Sequence, residues 1–91
     1  MQQLKDRVAI LTAGAGGFGS ATALMMAQEG AKVVIADVDK ASSEEVIAQV
    51  QKAGSQGIYV KTDVSKKADA QNVVKAAVET FGRLDILVNI A

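Results

Sequence analysis

Several residue types that carry chemistry in proteins are missing from this sequence. Its 91 residues contain no cysteine, histidine, proline or tryptophan, and the aromatic side chains are two phenylalanines and one tyrosine. Without cysteine and histidine there are no disulfides, thiolate nucleophiles, histidine-based catalytic triads or His/Cys zinc sites. The scarcity of aromatic side chains argues against a stacking platform for single-stranded nucleic acid.

Net charge and long apolar runs are also missing. Ten basic and ten acidic side chains cancel, so no broad electrostatic attraction to nucleic acid or to an anionic membrane is expected. No run approaches the ~18 consecutive apolar residues of a membrane-spanning helix. Residues 1–7 lack the apolar core of a signal peptide. We therefore expect a cytoplasmic protein that binds neither nucleic acid nor membrane.

Short apolar runs alternate with longer segments of helical periodicity. The runs are typical of strands buried on both faces and cover residues 8–11, 33–36, 57–60 and 84–88. Helical spacing covers residues 17–29, 40–53 and 66–81. The order β-α-β-α-β-α-β predicts an α/β fold, a Rossmann-type doubly wound parallel sheet with strand order 3-2-1-4. A glycine follows each predicted helix, at Gly30, Gly54 and Gly82.

The most informative pattern is a cluster of glycines directly after the first predicted strand. Gly14, Gly16 and Gly19 satisfy G-x-G-x-x-G between a strand and a helix. Glycine reaches positive φ cheaply and leaves the backbone bare, and the N–H groups that begin a helix attract anions. The pattern predicts a seat for a dinucleotide's diphosphate, formed by Gly14, Ala15, Gly16, Gly17, Phe18 and Gly19. The alternative is that the glycines only form a sharp turn.

An acidic residue ends the second predicted strand. Asp37 lies 18 positions after Gly19, where a carboxylate typically accepts hydrogen bonds from the adenosine ribose hydroxyls. Its charge would repel a 2′-phosphate, and Val38 rather than a basic residue follows it, so NAD is preferred over NADP. The alternative is that Asp37 caps the second helix, a position for which Asp39 is equally placed.

A second carboxylate follows the third predicted strand. Asp63 can accept a hydrogen bond from the adenine amino group there, and Val64 offers backbone groups and an apolar edge. Equally, Asp63 can be a turn residue before Ser65, which is placed to cap the third helix. From the residues alone, both interpretations stay open.

At these residues the sequence resembles the short-chain dehydrogenase/reductase family, and the resemblance extends along the whole chain. The family's T-G-x-x-x-G-x-G turn is met at Thr12, Gly17 and Gly19. Ala13 stands at the family's first glycine, which is a departure from the pattern.

Two further segments carry the resemblance. Asp63 and Val64 resemble the family's Asp-Val pair, which contacts adenine. Residues 85–91 resemble its D-x-L-V-N-N-A-G segment, with Ile90 in place of the second asparagine. This resemblance implies that Asn89 and Ala91 line the ribose beside the nicotinamide.

The resemblance implies an NAD(P)-dependent oxidoreductase that passes hydride between nicotinamide and a secondary alcohol or ketone. Family members use a Tyr-x-x-x-Lys pair, helped by a serine and an asparagine, downstream of the segment present here. The single tyrosine is Tyr59, which is followed four positions later by Asp63 instead of lysine. Tyr59 is therefore interpreted as a packed strand residue. We assign no catalytic residue and no metal ligand, and we expect the chain alone to be inactive.

Residues 1–91 are predicted to be the N-terminal dinucleotide-binding part of a single, truncated Rossmann domain, because the sequence stops just after an apolar strand. For the full-length enzyme the resemblance implies a small-molecule substrate and a homo-oligomer. Two other functions stay open. One is a non-catalytic NAD-binding module or truncated relic, and the other is a nucleotide-free α/β interaction domain.

Overall fold

A computed structural model describes residues 3–12 and 17–89, except for the side chain of Phe18. Within these residues strands and helices alternate in the order β1 (Val8–Thr12), α1 (Gly17–Gln28), β2 (Lys32–Asp37), α2 (Lys40–Lys52), β3 (Gly57–Lys61), α3 (Lys67–Phe81) and β4 (Ile86–Asn89). The predicted element order is confirmed. None of the helices described is both long and apolar enough to cross a membrane.

The strands form one parallel sheet in the order β3-β2-β1-β4, as predicted. In this register Ile10 lies between Val34 on β2 and Leu87 on β4. Because all strands run the same way, their carboxyl ends meet at one edge of the sheet. We call this the carboxyl edge, marked by Thr12, Asp37, Lys61 and Asn89, and the opposite one the amino edge, marked by Val8, Lys32, Gly57 and Ile86.

Helices cover both faces of the two central strands, β1 and β2. On one face α1 and α2 pack against Ala9, Leu11, Val33 and Ile35. On the other face α3 packs against Val8, Ile10, Val34 and Ala36. All eight strand residues are 0% exposed. Burial on both faces explains why these strands are continuous apolar runs without polar alternation.

Small residues let α1 lie close to the sheet. Ala23 and Ala27, four positions apart on one side of the helix, are buried. The sequence predicts that Ser20, Ala21 and Ala23 serve this purpose, but Ala21 is exposed. Ala21 and Ala23 are two positions apart, which places them on nearly opposite sides of an α-helix. The prediction for Ala21 is therefore wrong, and Ala27 provides the second close contact.

The edge strand β4 departs from the prediction of burial on both faces. Leu87 is 62% exposed. The helical spacing predicts one apolar stripe on α3, formed by Val73, Val74, Ala77, Val78 and Phe81, but Val74 and Val78 are 40% and 45% exposed. Helix α3 packs over β1, β2 and β3, so the side of α3 nearest β4 and the same face of β4 are only partly covered. The remaining stripe residues, Val73, Ala77 and Phe81, join the core as predicted.

The helix ends show one success and one failure of the sequence rules. Gly30, Gly54 and Gly82 all have positive φ, between 83° and 96°, as expected for residues that follow a helix. The prediction that Ser65 caps α3 is wrong, because the N-cap residue is Lys66. The Ser65 hydroxyl instead donates to Asp63 Oδ1 at 2.6 Å.

A carboxylate joins β1 to β4 at the amino edge. Asp85 Oδ2 accepts the backbone N–H of Val8 at 2.9 Å. The Arg83 guanidinium donates to both carboxylate oxygens, at 2.7 and 2.8 Å, and Arg7 Nη1 lies 3.3 Å from Oδ1. These hydrogen bonds, first that of Arg83 and then that of Val8, lower the pKa of Asp85 to about 2. We call this group (Arg7, Val8, Arg83 and Asp85) the amino-edge clasp.

Candidate dinucleotide site

The first helix starts beside the carboxyl edge. Gly17 is the first residue of α1 and is exposed, whereas Gly19 is buried in the same turn. A Cβ placed on Gly17 would meet no described atom within 4 Å. The first turn of α1 carries no acidic residue, so its own side chains do not neutralise the partial positive charge at the start of the helix. Among the described residues, the start of α1 therefore leaves space beside Gly17 for an anion, and the first N–H groups of a helix have no partner within the helix itself.

Part of the predicted diphosphate seat lies outside the described residues. This applies to Gly14, Ala15 and Gly16, to the side chain of Phe18, and to Ala13, where the sequence departs from the family pattern. The described part of the predicted seat consists of Gly17, which is exposed, the backbone of Phe18, and Gly19, which is buried, and its contact with a diphosphate stays a prediction.

The structure separates the two interpretations of Asp37. Asp39 is the N-cap of α2, since its Oδ1 accepts the N–H of Ser42 at 3.1 Å and its Oδ2 accepts the Ser42 hydroxyl at 2.9 Å. These bonds lower the pKa of Asp39. Asp37 lies at the end of β2 and its Oδ1 accepts the N–H of Asp39 at 2.9 Å. The helix-cap alternative for Asp37 is therefore wrong.

Asp63 takes part in a turn, as one of its two interpretations requires. Its Oδ1 accepts both the N–H and the hydroxyl of Ser65, at 3.0 and 2.6 Å, and these bonds lower the pKa of Asp63, the hydroxyl bond first. Its own N–H donates to Asp69 Oδ2 at 2.9 Å. The turn role does not exclude contact with a ligand, because the same bonds keep Asp63 ionised and fixed beside the sheet.

A cavity of about 240 Å³ brings the ends of β2 and β3 together at the carboxyl edge. Two apolar side chains on its rim, Val38 and Val64, are 60% and 62% exposed. The lining residues are Ala36, Asp37, Val38, Thr62, Asp63 and Val64. The residues predicted to contact the ribose and the adenine thus line one cavity. Its carboxylates can accept hydrogen bonds, and its valines provide an apolar surface.

The end of β4 is tied to the end of β1 on the other side of this edge. The Thr12 hydroxyl donates to Asn89 Oδ1 at 2.8 Å and lies 3.4 Å from the carbonyl oxygen of Val88. Asn89 also lines a mainly apolar cavity of about 200 Å³ between α3 and β4. Its predicted contact with the nicotinamide-side ribose stays a prediction, and the predicted contact of Ala91, like residue Ile90, lies outside the described residues.

A contact of Tyr59 was not predicted from the sequence. Tyr59 packs against the core between α2 and the sheet, as expected for a strand residue. Its hydroxyl donates to the backbone carbonyl of Asp37 at 3.0 Å. A tyrosine on the strand next to β2 is a signal for such a contact, because a buried ring needs a partner for its hydroxyl.

The residues that the structure describes contain no group of three or more acidic side chains that could hold a metal ion. The described part of the candidate site has three components. They are the start of α1 at Gly17, the Asp37 carboxylate at the end of β2, and the cavity between the ends of β2 and β3. Dinucleotide-binding sheets have this arrangement where the first βα turn meets the second strand.

Comparison with known proteins identifies the family. The chain matches the sequence profile of the short chain dehydrogenase family over residues 7–91. It belongs to that family. The resemblance seen in the glycine turn, the Asp63–Val64 pair and residues 85–91 is thereby confirmed.

Individual known proteins align with nearly the whole chain. A 2,5-dichloro-2,5-cyclohexadiene-1,4-diol dehydrogenase of Sphingobium indicum is 42% identical over 89 residues, or 98% of this chain. The apo crystal structure of glucose dehydrogenase of Caenorhabditis elegans superimposes with a TM-score of 0.91 at 37% identity, over 98% of this chain. The structure of NAD+-bound xylitol dehydrogenase gives a TM-score of 0.89 at 28% identity, over 93% of this chain.

The chain spans only part of the length of these dehydrogenases. It covers 36% of the Sphingobium dehydrogenase, 39% of the glucose dehydrogenase and 33% of the xylitol dehydrogenase.

Proposed function

We propose that this chain binds a nicotinamide dinucleotide at the carboxyl edge, as the cofactor-binding part of an oxidoreductase. The observation that carries the proposal is the position of Asp37. It lies at the end of β2, it is not the cap of α2, and it lines a cavity together with Asp63. Membership of the short-chain dehydrogenase family and the likeness to the NAD+-bound xylitol dehydrogenase support it.

The residues of the site fit such a cofactor. The open space at Gly17 and the N–H groups of the α1 start suit a diphosphate. The Asp37 carboxylate suits the vicinal hydroxyls of a ribose, and Asp63 with Val38 and Val64 suits a flat base with a polar rim. When bound, the cofactor supplies a nicotinamide ring that accepts or donates hydride.

We infer a preference for NAD over NADP from the same residue. The charge of Asp37 would repel a 2′-phosphate, and the next side chain is Val38, which provides no positive charge to offset that repulsion. Asp39 adds a further negative charge, since its pKa is lowered by its bonds to Ser42.

For the full-length protein we propose hydride transfer between the nicotinamide and a secondary alcohol or ketone. Residues 1–91 contain no Tyr-x-x-x-Lys pair, since Tyr59 is the single tyrosine and Asp63 follows it four positions later. The Tyr59 hydroxyl is also engaged with the backbone of Asp37. The 91-residue chain is therefore proposed to bind cofactor without transferring hydride. A small-molecule substrate, a homo-oligomer and a cytoplasmic location belong to the same proposal.

Titration calorimetry with NAD and NADP tests the proposed site. We expect saturable binding of NAD, weaker binding of NADP, and a loss of about tenfold or more in NAD affinity in Asp37→Ala, since a charge-assisted bond contributes about 1.5–3 kcal/mol. Asp6→Ala is the control, because this carboxylate lies before β1 at the amino edge. Equal affinity for the two cofactors would contradict the inferred preference, and unchanged NAD affinity in Asp37→Ala would contradict the ribose role.

A further inference from the structure

We propose that Tyr59 is a positioning residue for cofactor selectivity, which acts by fixing the backbone of Asp37. This inference rests on the proposed role of Asp37 in ribose binding. It concerns a residue that touches Asp37 and for which no cofactor contact is proposed.

Two hydrogen bonds, from Tyr59 on β3 and from Thr62 just after it, fix the backbone carbonyl of Asp37. Its carbonyl oxygen accepts the Tyr59 hydroxyl at 3.0 Å and the N–H of Thr62 at 3.0 Å. A carbonyl oxygen has two lone pairs, so these two donors use its full capacity. Thr62 is 3% exposed and its hydroxyl donates to the carbonyl of Val60 at 2.9 Å. The donors thus come from a fixed segment, and the backbone of Asp37 is fixed with them.

The strand register explains why the tyrosine reaches this atom. Tyr59 is paired with Ile35, and Asp37 lies two residues further along the same neighbouring strand. Residues two apart on a strand point to the same face, so the long tyrosine side chain extends along that face towards the carboxyl edge. Its ring packs against the buried cluster that contains Ile35 and Val46, which limits the positions that the hydroxyl can adopt.

The hydroxyl stays a donor at neutral pH. Desolvation, followed by the negative charges of Asp37, Asp39 and Glu44, raises the pKa of Tyr59 above its ordinary value of 10.0. Proton loss from Tyr59 therefore does not weaken the bond to Asp37 in the range where cofactor binding is measured.

Selectivity depends on where the Asp37 carboxylate is held. Its Oδ1 already accepts the N–H of Asp39 at 2.9 Å, so the backbone and one carboxylate oxygen are both fixed. A carboxylate held in one place offers a ribose its best hydrogen bonds and a 2′-phosphate its strongest repulsion. A carboxylate on a more mobile backbone forms weaker hydrogen bonds with the ribose and repels a 2′-phosphate less. NAD affinity therefore falls, while NADP affinity is unchanged or rises.

The test is Tyr59→Phe, which removes the hydroxyl and keeps the packed ring. We expect NAD affinity to fall about three- to tenfold, the range for one lost hydrogen bond, with no loss of NADP affinity. The matched control is Ser55→Ala, which removes the hydroxyl bond from Ser55 to the carbonyl of Ala31 at the amino edge. Circular dichroism melts of both variants establish a temperature at which each chain is fully folded, and the titrations are done there.

A double-mutant cycle separates positioning from general loosening. In the Asp37→Ala background, Tyr59→Phe should leave NAD affinity unchanged, because no carboxylate is left to position. Equal losses of NAD and NADP affinity, or the same loss in both backgrounds, would overturn the positioning role. If Asp37→Ala alone leaves NAD affinity unchanged, the proposed function fails first. If Asp37→Ala weakens binding and Tyr59→Phe does not, only the inference about Tyr59 fails.

Discussion

The two edges of the sheet use carboxylates in different ways. At the amino edge, Asp85 bonds to Arg83, two positions away, and also to Val8 and Arg7, which lie 77 and 78 positions away in the sequence. At the carboxyl edge, Asp37 and Asp63 bond through their carboxylates to Asp39 and Ser65, each two positions away. The first arrangement joins distant parts of the chain, and the second fixes a side chain beside a cavity. The bonds of Asp85 to Val8 and Arg7 therefore indicate a structural role, whereas the bonds of Asp37 and Asp63 fix carboxylates at the candidate site.

The two edges also differ in how far their side chains are exposed to solvent. The Asp85 side chain is 13% exposed, whereas Val38 and Val64 on the rim of the carboxyl-edge cavity are about 60% exposed. Exposed apolar side chains around a cavity are typical of surfaces that a ligand covers. The comparison implies that substitutions at the amino edge change stability and that substitutions at the carboxyl edge change binding.

The largest effect is expected from Gly17→Val at the carboxyl edge. A Cβ on Gly17 meets no described atom within 4 Å, so the side chain fits among the described residues, but it would occupy the space proposed for the diphosphate. We expect NAD affinity to fall by more than about tenfold, or about 1.4 kcal/mol, with helical content nearly unchanged. Calorimetry and circular dichroism provide the two measurements. Unchanged affinity would show that the diphosphate lies elsewhere.

The next largest effect is expected from Gly30→Ala at the amino edge. Gly30 has a φ of 96°, and a Cβ there would lie 2.8 Å from the Cα of Lys5. The left-handed backbone alone costs about 1–2 kcal/mol for a residue with a Cβ, and the contact with Lys5 adds to this.

Gly54→Ala is the matched control for Gly30→Ala. Gly54 has a φ of 94°, but its Cβ would meet no described atom within 4 Å. Thermal melts should therefore show a larger loss of stability for Gly30→Ala than for Gly54→Ala. Equal losses would contradict the close packing of Lys5 on Gly30.

Asp85→Asn should lower stability in a pH-dependent way. The pKa of Asp85 is about 2 in the folded chain, below its ordinary value of 3.8. The ionised carboxylate therefore stabilises the fold above pH ~4, and this stabilisation is lost as the pH falls from ~4 towards 2. We expect the melting temperature of the variant to be lower at pH 7 and to fall less on acidification.

Glu79→Gln serves as the control for Asp85→Asn. Glu79 Oε1 lies 3.7 Å from Lys75 Nζ, and both side chains are more than 60% exposed. Such surface pairs contribute about 0.3–0.5 kcal/mol. If the two variants had the same pH dependence of melting, the amino-edge clasp would not hold β1 to β4.

The smallest effect is expected from Thr12→Val at the carboxyl edge. The substitution keeps the branched shape and removes the hydroxyl bond to Asn89. The loss of one such bond costs about 0.5–1.5 kcal/mol, and urea unfolding can measure a change of this size. A loss as large as that of Gly30→Ala would mean that the carboxyl edge also holds the sheet together.

The parts of the structure that depend on chain periodicity were predicted from the sequence. The apolar runs of β1 and β2 are buried on both faces, and right-handed crossovers leave few alternatives to the observed strand order. The three glycines that follow the helices have positive φ. Few other residues adopt this conformation, so glycine at these positions predicts it. Local patterns of this kind involve residues that are close together in the sequence.

The features that were missed depend on competition between neighbours or on long-range contacts. Ser65 is a residue type that favours helix N-caps, but its backbone N–H and its hydroxyl both donate to Asp63 Oδ1, which holds Ser65 in the turn before the N-cap Lys66. The bond from Tyr59 to Asp37 depends on the register of two strands, which periodicity does not specify. The amino-edge clasp was missed for a similar reason, because it joins residues near the two ends of the described chain.

The most direct test of the central claim is to map the binding surface by amide chemical-shift changes as NAD is added to the labelled chain. We predict that shifts concentrate at the carboxyl edge, at Gly17, Gly19, Val38 and Val64, while Gly30, Gly54 and Ser55 at the amino edge stay unchanged. Shifts confined to the amino edge, or no saturable shifts at all, would contradict the assignment of a dinucleotide site to this sheet.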